Sequence, residues 1–186
     1  MVKKRILVTG GAGYVGTALL PKLIEAGHEV TVFDNLMQGG NQLLSFFRNK
    51  NFHFINGDVT IKKDVEAAVK DKDIIIHLAA IVGFPACKNN PELATNVNVG
   101  GTQNIIDATS PEQIILYGST GSNYGKVTDI CTEESPLNPL SLYGETKTEA
   151  EHMLMARGNV IAYRFATAFG VSPRLRLDLL INDFTN

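Results

Sequence analysis

The sequence predicts an α/β fold in which a doubly wound parallel sheet carries helices on both faces. Three observations support this fold class. Short apolar runs alternate with segments of helical periodicity, which is the pattern of a parallel sheet covered by helices. A glycine-rich segment joins the first run to the first helical segment. The run Ile74–Leu78 is apolar apart from His77, as expected of a strand that is buried on both faces.

Six apolar runs are predicted as strands, because each has the length of a strand and β-branched residues recur among them. In chain order they are Arg5–Thr9, Glu29–Phe33, Phe52–Asn56, Ile74–Leu78, Gln113–Tyr117 and Val160–Phe165. No later run can pair with the sixth, so we expect it to form an exposed apolar edge.

Four segments are predicted as helices: Tyr14–Ala26, a segment from Thr60 to about Lys70, Pro91–Thr109 and Ser141–Arg157. Thr60 is the expected N-cap of the second, and Gly27 is the expected C-cap of the first. A last apolar face, with helical spacing, is formed by Leu177, Leu180, Ile181 and Phe184. Nothing later in the sequence can cover that face.

Composition limits the classes of function. The chain has 186 residues, of which 44% are hydrophobic and 19% charged, and it carries a net charge of −2. These values favour one packed domain, and they give no basic excess for nucleic acid or an acidic membrane surface. No apolar run reaches the ~18 residues of a membrane span, and no signal peptide is recognisable, so we expect a cytoplasmic protein. Two cysteines without a paired motif predict neither a disulfide framework nor a metal site.

The segment between the first strand and the first helix predicts a phosphate-binding turn. Its letters, TGGAGYVG, satisfy G-x-G-x-x-G through Gly11, Gly13 and Gly16, and also G-x-x-G-x-x-G from Gly10. Glycines allow a tight turn and a close approach of the backbone to a pyrophosphate, while the helix N-terminus offers free N–H groups. Alone the motif is also compatible with a flexible turn, but a strand precedes it and a helix follows it as the motif requires.

Asp34 ends the second strand, 18 residues after Gly16. A carboxylate at this point can accept hydrogen bonds from both hydroxyls of an adenosine ribose. It would repel a 2′-phosphate, and Asn35 and Leu36 bring no compensating cation. The sequence therefore favours NAD over NADP.

Tyr143 and Lys147 lie four residues apart on one predicted helix and therefore share a face. A nearby ammonium stabilises a phenolate, so we expect Lys147 to lower the pKa of Tyr143 toward neutrality. Thr120 follows the fifth strand, where the carboxyl ends of parallel strands face a ligand crevice. Its hydroxyl can share a proton with Tyr143 or hold a reacting oxygen. Each of these patterns is common in isolation.

In combination the motifs are specific. TGGAGYVG, VFDN, HLAA, NVGGTQN, YGSTGSNYG and PLSLYGETK occur in the order and spacing of the extended short-chain dehydrogenase/reductase family. The sequence most resembles the NAD-dependent nucleotide-sugar epimerases and dehydratases of that family, of the UDP-glucose 4-epimerase type. The resemblance covers nearly the whole chain and implies a Rossmann-type fold.

The resemblance implies roles for individual residues. Catalysis is implied for Thr120, Tyr143 and Lys147. NAD contacts are implied for Gly10, Gly13, Tyr14, Val15, Gly16, Asp34, Asn35, Asp58, Val59, Leu78, Ala79, Ala80, Asn98, Tyr143, Lys147 and Phe165. Substrate contacts are implied for Val82, Thr120, Ser122, Tyr143 and Thr167, and no metal site is implied. His77 and Cys87 are interpreted as structural residues.

The residues after the catalytic hydroxyl separate reactions within the family. Dehydratases and decarboxylases carry acidic residues there, whereas this chain has Gly121 and Ser122. The resemblance therefore implies a 4-epimerase acting on a nucleotide sugar, with a UDP-hexose expected. Two departures are Gly118, where many relatives have serine, and Thr167, where many have asparagine.

The largest departure from the family is length. Residues 1–170 correspond to the NAD-binding domain, and residues 171–186 to the start of a substrate-binding lobe that is mostly lacking. An NAD-binding module without independent catalysis therefore remains an alternative, as does a dehydratase or reductase of the same family. The family also implies a homodimer, formed through a four-helix bundle of Pro91–Thr109 and Ser141–Arg157.

Overall fold

A computed structural model describes residues 2–185 of the chain. Its strands are β1 (Arg5–Thr9), β2 (Glu29–Asp34), β3 (Phe52–Asn56), β4 (Ile74–His77), β5 (Ile114–Thr120) and β6 (Val160–Phe165). They form one sheet in the order β3-β2-β1-β4-β5-β6, and every pairing is parallel. The strand order reverses between β1 and β4, as in a doubly wound sheet of the Rossmann type. The predicted fold class is confirmed.

The helices are α1 (Tyr14–Glu25), α2 (Lys62–Val69), α3 (Phe84–Asn89), α4 (Pro91–Thr95), α5 (Gly101–Ala108), α6 (Leu142–Arg157) and α7 (Leu180–Phe184). Two 3₁₀ segments, Asn41–Arg48 and Gly121–Tyr124, follow β2 and β5. In the described part of the chain, no helix combines the length and apolar character that a membrane crossing requires.

Two apolar layers form the core, one on each face of the sheet. Alternation along β1 divides its side chains between them, so that Leu7 lies in one layer and Ile6 and Val8 lie in the other. The first layer includes Leu154 of α6 and Ile105 of α5. The second layer is completed by α1. Helices therefore cover both faces, as the sequence predicts.

The prediction of Thr60 as the N-cap of α2 is wrong. Helix α2 begins at Lys62, and its N-cap position is Ile61, which makes no side-chain capping bond. The Thr60 hydroxyl instead donates to Oδ1 of Asp58 at 2.8 Å, and its amide donates to the same oxygen. Thr60 therefore belongs to a local turn at Asp58, one residue before the N-cap position of α2.

The predicted helix Pro91–Thr109 is interrupted. A π-helical turn, Asn96–Gly100, separates α4 from α5. Nothing in the apolar spacing distinguishes this turn from regular helix. Within the turn, Asn98 points into the protein and is buried.

Strand β6 lies at an edge of the described sheet, as predicted. Alternate side chains on one of its faces are exposed: Ile161 by 51%, Tyr163 by 46% and Phe165 by 43%. The rings of Tyr163 and Phe165 stack with centroids 6.0 Å apart. One face of β6 is therefore an exposed apolar strip, which we call the β6 face.

The segment after residue 170 packs on the start of α1. The Tyr14 hydroxyl donates to the Gly170 carbonyl at 2.6 Å, and the Ser172 hydroxyl donates to the Tyr14 carbonyl at 2.7 Å. The side-chain amide of Asn182 donates to the Tyr14 hydroxyl and accepts from the Gly170 amide. Only Leu180–Phe184 of the predicted last helix is helical, so Leu177 lies outside it.

Candidate active site

The close backbone contacts of the glycine-rich turn leave no space for a larger residue at two of its glycines. Gly10 has φ +67° and donates its amide to the Phe33 carbonyl at 2.9 Å. A Cβ on Gly10 would lie 2.6 Å from the Ala79 nitrogen, and one on Gly16 would lie 2.6 Å from the Gly11 oxygen. Helix α1 begins directly after this turn, so the amides of its first turn can face an anion. Val15, in that first turn, is exposed.

Asp34 is half-buried at the carboxyl end of β2. Its Oδ2 accepts the Ala12 amide at 3.0 Å and its Oδ1 accepts the Leu36 amide at 2.8 Å. Burial raises the pKa of Asp34, and these two hydrogen bonds oppose the rise. Each oxygen keeps a lone pair that a ribose hydroxyl could use. In the C-terminal segment, Arg174 donates to the side chain of Gln38, four residues after Asp34 in the chain, at 2.6 Å.

Asn35 and Asp58 meet at the ends of β2 and β3. The Asn35 amide donates to Oδ2 of Asp58 at 2.8 Å. Burial acts to raise the pKa of Asp58, but hydrogen bonds from Thr60 and Asn35 outweigh it, so that the pKa lies below its usual value. Val59 is buried, and its carbonyl accepts the Asn104 amide at 2.9 Å.

The loop after β4 crosses the sheet beside the glycine turn. Leu78, Ala79 and Ala80 are half-buried there. Asn98 holds the following residue at both ends: its oxygen accepts the Ile81 amide at 2.8 Å, and its amide donates to the Ile81 carbonyl at 3.1 Å. The polar atoms of Asn98 are thus used within the protein, so any influence on a cofactor passes through the position of this loop.

Close packing against Leu78 explains why residue 118 is a glycine and not a serine. A Cβ at this position would lie 2.9 Å from Cδ2 of Leu78. A serine here would require Leu78 to move.

Tyr143 and Thr120 come together at the carboxyl edge of the sheet. Tyr143 lies in the first turn of α6, whose N-cap Ser141 accepts the Gly144 amide at 3.2 Å. Thr120 is the last residue of β5, and its Oγ1 accepts the Ser122 amide at 3.1 Å. The Thr120 side chain lies close enough to the phenol of Tyr143 to act to lower its pKa.

The charges in this region differ from expectation. Burial raises the pKa of Tyr143 above its ordinary value, although Thr120 and the positive charge of Arg176 act against the rise. Burial also lowers the pKa of Lys147 to about 7, so this lysine is only partly charged at neutral pH. The prediction that Lys147 lowers the pKa of Tyr143 toward neutrality is therefore wrong for the chain without a cofactor. Both side chains are buried, and burial disfavours the charged form of each.

A buried polar cluster lies one helical turn beyond Lys147, and the sequence analysis missed it. Glu151 Oε2 accepts hydrogen bonds from Ser119 at 2.5 Å and from Asn123 at 3.0 Å. Glu151 Oε1 accepts two from Arg164, at 3.0 and 2.6 Å. The spacing Tyr143, Lys147, Glu151 was a signal for one shared helix face. The three partners come from β5, the following 3₁₀ turn and β6, which no local pattern predicts.

The residues assigned to a substrate follow three neighbouring strands. Val82 comes after β4, Ser122 after β5 and Thr167 after β6, and all three are exposed. Because β4, β5 and β6 run parallel, their carboxyl ends lie at the same edge as Thr120. Phe165, the last residue of β6, is also exposed at this edge.

His77 and Cys87 are both buried. The His77 ring nitrogens lie 2.7 Å from the Thr9 hydroxyl and 3.1 Å from the Thr102 hydroxyl, and burial lowers the pKa of His77 to about 3. The Cys87 thiol donates to the Ile81 carbonyl, and burial raises its pKa. A thiol with a raised pKa is a poor nucleophile, and both residues have the structural environment expected of them.

Comparison with known proteins identifies relatives of this chain. A putative UDP-glucose 4-epimerase of Methanocaldococcus jannaschii is 32% identical over 166 residues, which is 87% of this chain and 53% of that protein. UDP-glucuronic acid decarboxylase 1 of Danio rerio is 36% identical over 83% of this chain and 38% of its own length. The chain thus spans about half or less of the length of these curated relatives.

Solved structures give the same likeness. A UDP-glucuronic acid 4-epimerase from Bacillus cereus, in complex with UDP-glucuronic acid and NAD, superimposes with a TM-score of 0.87 at 27% identity. That match covers 96% of this chain and 60% of the other. A UDP-glucose 4-epimerase from Thermus thermophilus, in complex with NAD, gives 0.78 at 30% identity over 86% of this chain and 54% of the other.

The family model described as "NAD dependent epimerase/dehydratase family" matches residues 6–181. This match runs from β1 into α7, and so includes the glycine turn, Asp34 and the Thr120–Tyr143 pair. The chain belongs to the NAD-dependent epimerase/dehydratase family.

Proposed function

We propose that this chain carries the cofactor site and the catalytic groups of an NAD-dependent nucleotide-sugar 4-epimerase. The observation that carries the proposal is the proximity of the Thr120 and Tyr143 side chains at the carboxyl edge of the sheet, the same edge at which the glycine turn follows β1. In an open parallel sheet this edge, at the reversal of strand order, is where a dinucleotide and its substrate meet.

The residues present fit NAD. The glycine turn and the start of α1 would hold the pyrophosphate, and the free lone pairs of Asp34 would accept from the adenosine ribose. Asn35 and Asp58 would border the adenine side. When bound, NAD would accept a hydride from a sugar carbon and return it.

Each catalytic residue has a separate task in this proposal. Tyr143 would remove the proton of a sugar hydroxyl as phenolate and return it as phenol. Thr120, whose Oγ1 accepts the Ser122 amide, would keep its own proton directed at the reacting oxygen. Lys147 would hold a cofactor ribose hydroxyl and, as a cation, favour the ionised form of Tyr143.

The absence of a carboxylate beside Thr120 favours epimerisation over elimination. Gly121 and Ser122 follow Thr120, so the chain offers no acid at the positions that dehydratases and decarboxylases use. Glu151 is close in sequence to the site but its carboxylate is buried and paired with Arg164. Transient oxidation and reduction needs only the proton transfer that Tyr143 can perform.

The proposed substrate is a nucleotide sugar, with a UDP-hexose as the first choice. The similar proteins are described as acting on UDP-glucose or UDP-glucuronic acid. Location in the cytoplasm and a homodimer through a four-helix bundle of Pro91–Thr109 and Ser141–Arg157 are further expectations. Sedimentation velocity of the purified chain tests the dimer.

The first experiment is calorimetric titration of the purified chain with NAD and with NADP, repeated in the presence of a UDP-hexose. We expect NAD to bind and NADP to bind at least tenfold more weakly, because Asp34 repels a 2′-phosphate. Asp34→Asn is the matched variant: it should weaken NAD binding by roughly ten- to a hundredfold, the loss of a charged hydrogen bond. Failure to bind either dinucleotide would refute the cofactor assignment.

The second experiment measures interconversion of UDP-glucose and UDP-galactose by NMR, with Tyr143→Phe as the control that keeps the ring. Turnover that Tyr143→Phe abolishes would support the epimerase. NAD binding that Tyr143→Phe leaves unchanged, without turnover by the unmodified chain, would favour the alternative of a binding module. A 4-keto or dehydrated product would instead indicate a dehydratase of the same family.

A further inference from the structure

Lys147 lies in an unusual place for an ammonium group. Its side chain is 2% exposed and points into the protein between β5 and α6. A buried lysine must either lose its proton or find groups that stabilise its charge. The described surroundings of Lys147 supply two such groups.

The first group is the ring of Tyr117 on β5. Lys147 Nζ lies over this ring, 4.0 Å from its centroid. That distance is well inside the range for cation–π attraction, which strengthens where water is excluded. The ring is itself fixed in the core, since Tyr117 is 1% exposed. Its hydroxyl is buried without a hydrogen-bond partner among the described residues, so the ring, and not the hydroxyl, is the useful part of this side chain.

The second group is the carboxylate of Glu151. It lies four residues after Lys147 on α6, and its negative charge favours the protonated lysine. The carboxylate cannot turn away, because Ser119, Asn123 and Arg164 donate to it from three other elements. Burial alone would drive the proton off Lys147, and Glu151 opposes this loss.

Two other titratable groups face the same region. His77 on β4 would repel a cation if it were protonated, but it is fully buried and its two nitrogens are occupied by Thr9 and Thr102. It therefore stays neutral near pH 7. Tyr143 lies one turn before Lys147 on α6 and is neutral while its pKa remains raised. Arg164 on β6 is a third charged group here, and it is paired with the Glu151 carboxylate. Among these groups, the Tyr117 ring and the Glu151 carboxylate are the ones that favour a charged Lys147.

We propose that Tyr117 and Glu151 are positioning residues for Lys147: the Tyr117 ring lies under its ammonium, and the fixed negative charge of Glu151, one helical turn further along α6, favours its protonated form. Neither residue touches the reacting atoms in the proposed reaction. Their effect on catalysis would pass through the charge of Lys147. That consequence rests on the proposed function, whereas the charge of Lys147 can be measured without any turnover.

The test is the titration of Lys147 itself. Lysine labelled with ¹³C at Cε reports its protonation in NMR spectra, and the Lys147 signal is assigned by its loss in Lys147→Met. The unmodified chain should show one lysine that titrates near neutral pH. Tyr117→Leu removes the ring and Glu151→Gln removes the charge, and each should lower the pKa of Lys147 by about one pH unit.

Tyr117→Phe is the matched control. It keeps the ring and removes only the unpartnered hydroxyl, so the pKa of Lys147 should stay as in the unmodified chain. Glu151→Gln keeps the shape of the buried side chain and provides a second test if Tyr117→Leu does not fold. An unchanged pKa in Tyr117→Leu overturns the role of Tyr117, and an unchanged pKa in Glu151→Gln overturns that of Glu151. Expected titrations without any turnover would refute the proposed function only.

Discussion

The burial of Lys147 sets a pH dependence of stability at the scale of one residue. Its pKa in the folded chain is about 7, below the ordinary 10.5, so the unfolded chain binds a proton that the folded chain lacks between these values. Lys147 therefore costs stability in full below about pH 7, and this cost is relieved as the pH rises toward about 10.

Lys147→Met should remove this cost, because methionine fills similar space without a charge. We expect the free energy of unfolding at pH 7 to increase, by an amount on the order of a few kcal/mol at most, and its rise between about pH 7 and about pH 10 to flatten. Urea unfolding across this pH range measures both effects. A variant that is less stable than the unmodified chain at pH 7, or that keeps the full rise, would contradict the prediction.

The proposed catalytic residues could be selected from sequence, whereas the residues that surround them could not. Tyr143 and Lys147 share a helix face by spacing alone, and Thr120 follows a recognisable strand. The hydrogen-bond partners of Glu151 lie 13, 28 and 32 residues away in the chain, so no periodicity could predict them. The raised pKa of Tyr143 also follows from tertiary burial and not from its neighbours in the chain.

At the scale of elements, the glycine turn depends on one close backbone contact. In Gly16→Ala the new Cβ would meet the Gly11 oxygen at 2.6 Å, and a backbone atom cannot move aside cheaply. We expect a loss of roughly 1–3 kcal/mol in the free energy of unfolding, together with weaker NAD binding. Chemical denaturation and calorimetry measure these changes.

Gly100→Ala is the matched control for this prediction. Gly100 is also helical, but a Cβ there meets nothing within 4 Å. Alanine should leave stability unchanged or raise it by about 0.5–1 kcal/mol through helix propensity. Equal losses in the two variants would show that any added methyl group, and not the contact with Gly11, is responsible.

Tyr14 joins the C-terminal segment to α1 through its hydroxyl. Tyr14→Phe removes the bonds to Gly170 and Asn182 while keeping the ring. We expect faster amide hydrogen exchange across residues 170–182, with little change in the central strands, because these bonds hold only that segment. Tyr163→Phe, on the β6 face, is the control. Unchanged exchange at residues 170–182 would mean that other contacts suffice to hold the segment.

Sequence patterns predicted the strands better than the helices. For five strands, both predicted ends lie within one residue of the ends in the structure. Strand β5 extends three residues beyond its predicted end. The helix α3 was missed because its six residues are too few to show a periodic face, and the segment Asn41–Arg48 because a 3₁₀ helix does not have the period of an α-helix. The Thr60 cap failed because Thr60 lies in a local turn with Asp58, so that the N-cap position of α2 falls one residue later, at Ile61.

At the scale of the whole molecule, we expect the exposed β6 face to promote self-association of the chain. We expect Ile161→Thr with Tyr163→Thr to reduce self-association of the chain, because exposed apolar strands at a sheet edge favour contacts between molecules. Sedimentation velocity at several concentrations measures this. Stability should change by no more than about 1 kcal/mol, since both side chains are half-exposed.

Leu44→Thr, on the 3₁₀ segment after β2, is the control, because it removes exposed apolar surface elsewhere. It should leave self-association unchanged. Association that persists in the β6 variant would assign it to another surface, such as the helices expected to form the dimer.

The π-helical turn at Asn96–Gly100 carries a cost that affects how this chain can change in length. Each helical residue turns the chain by about 100°, so deletion of one residue here would restore a regular helix and rotate everything on one side of it. If the deletion falls between Asn98 and Thr102, either Asn98 loses its bond to Ile81 or Thr102 loses its contact with His77, because the two side chains then lie on opposite sides of the deletion. A regular helix would therefore have the more favourable backbone, but it would not keep both Asn98 and Thr102 in contact with their partners. Any redesign of this segment must therefore keep the extra residue of the π-helical turn together with Asn98 and Thr102.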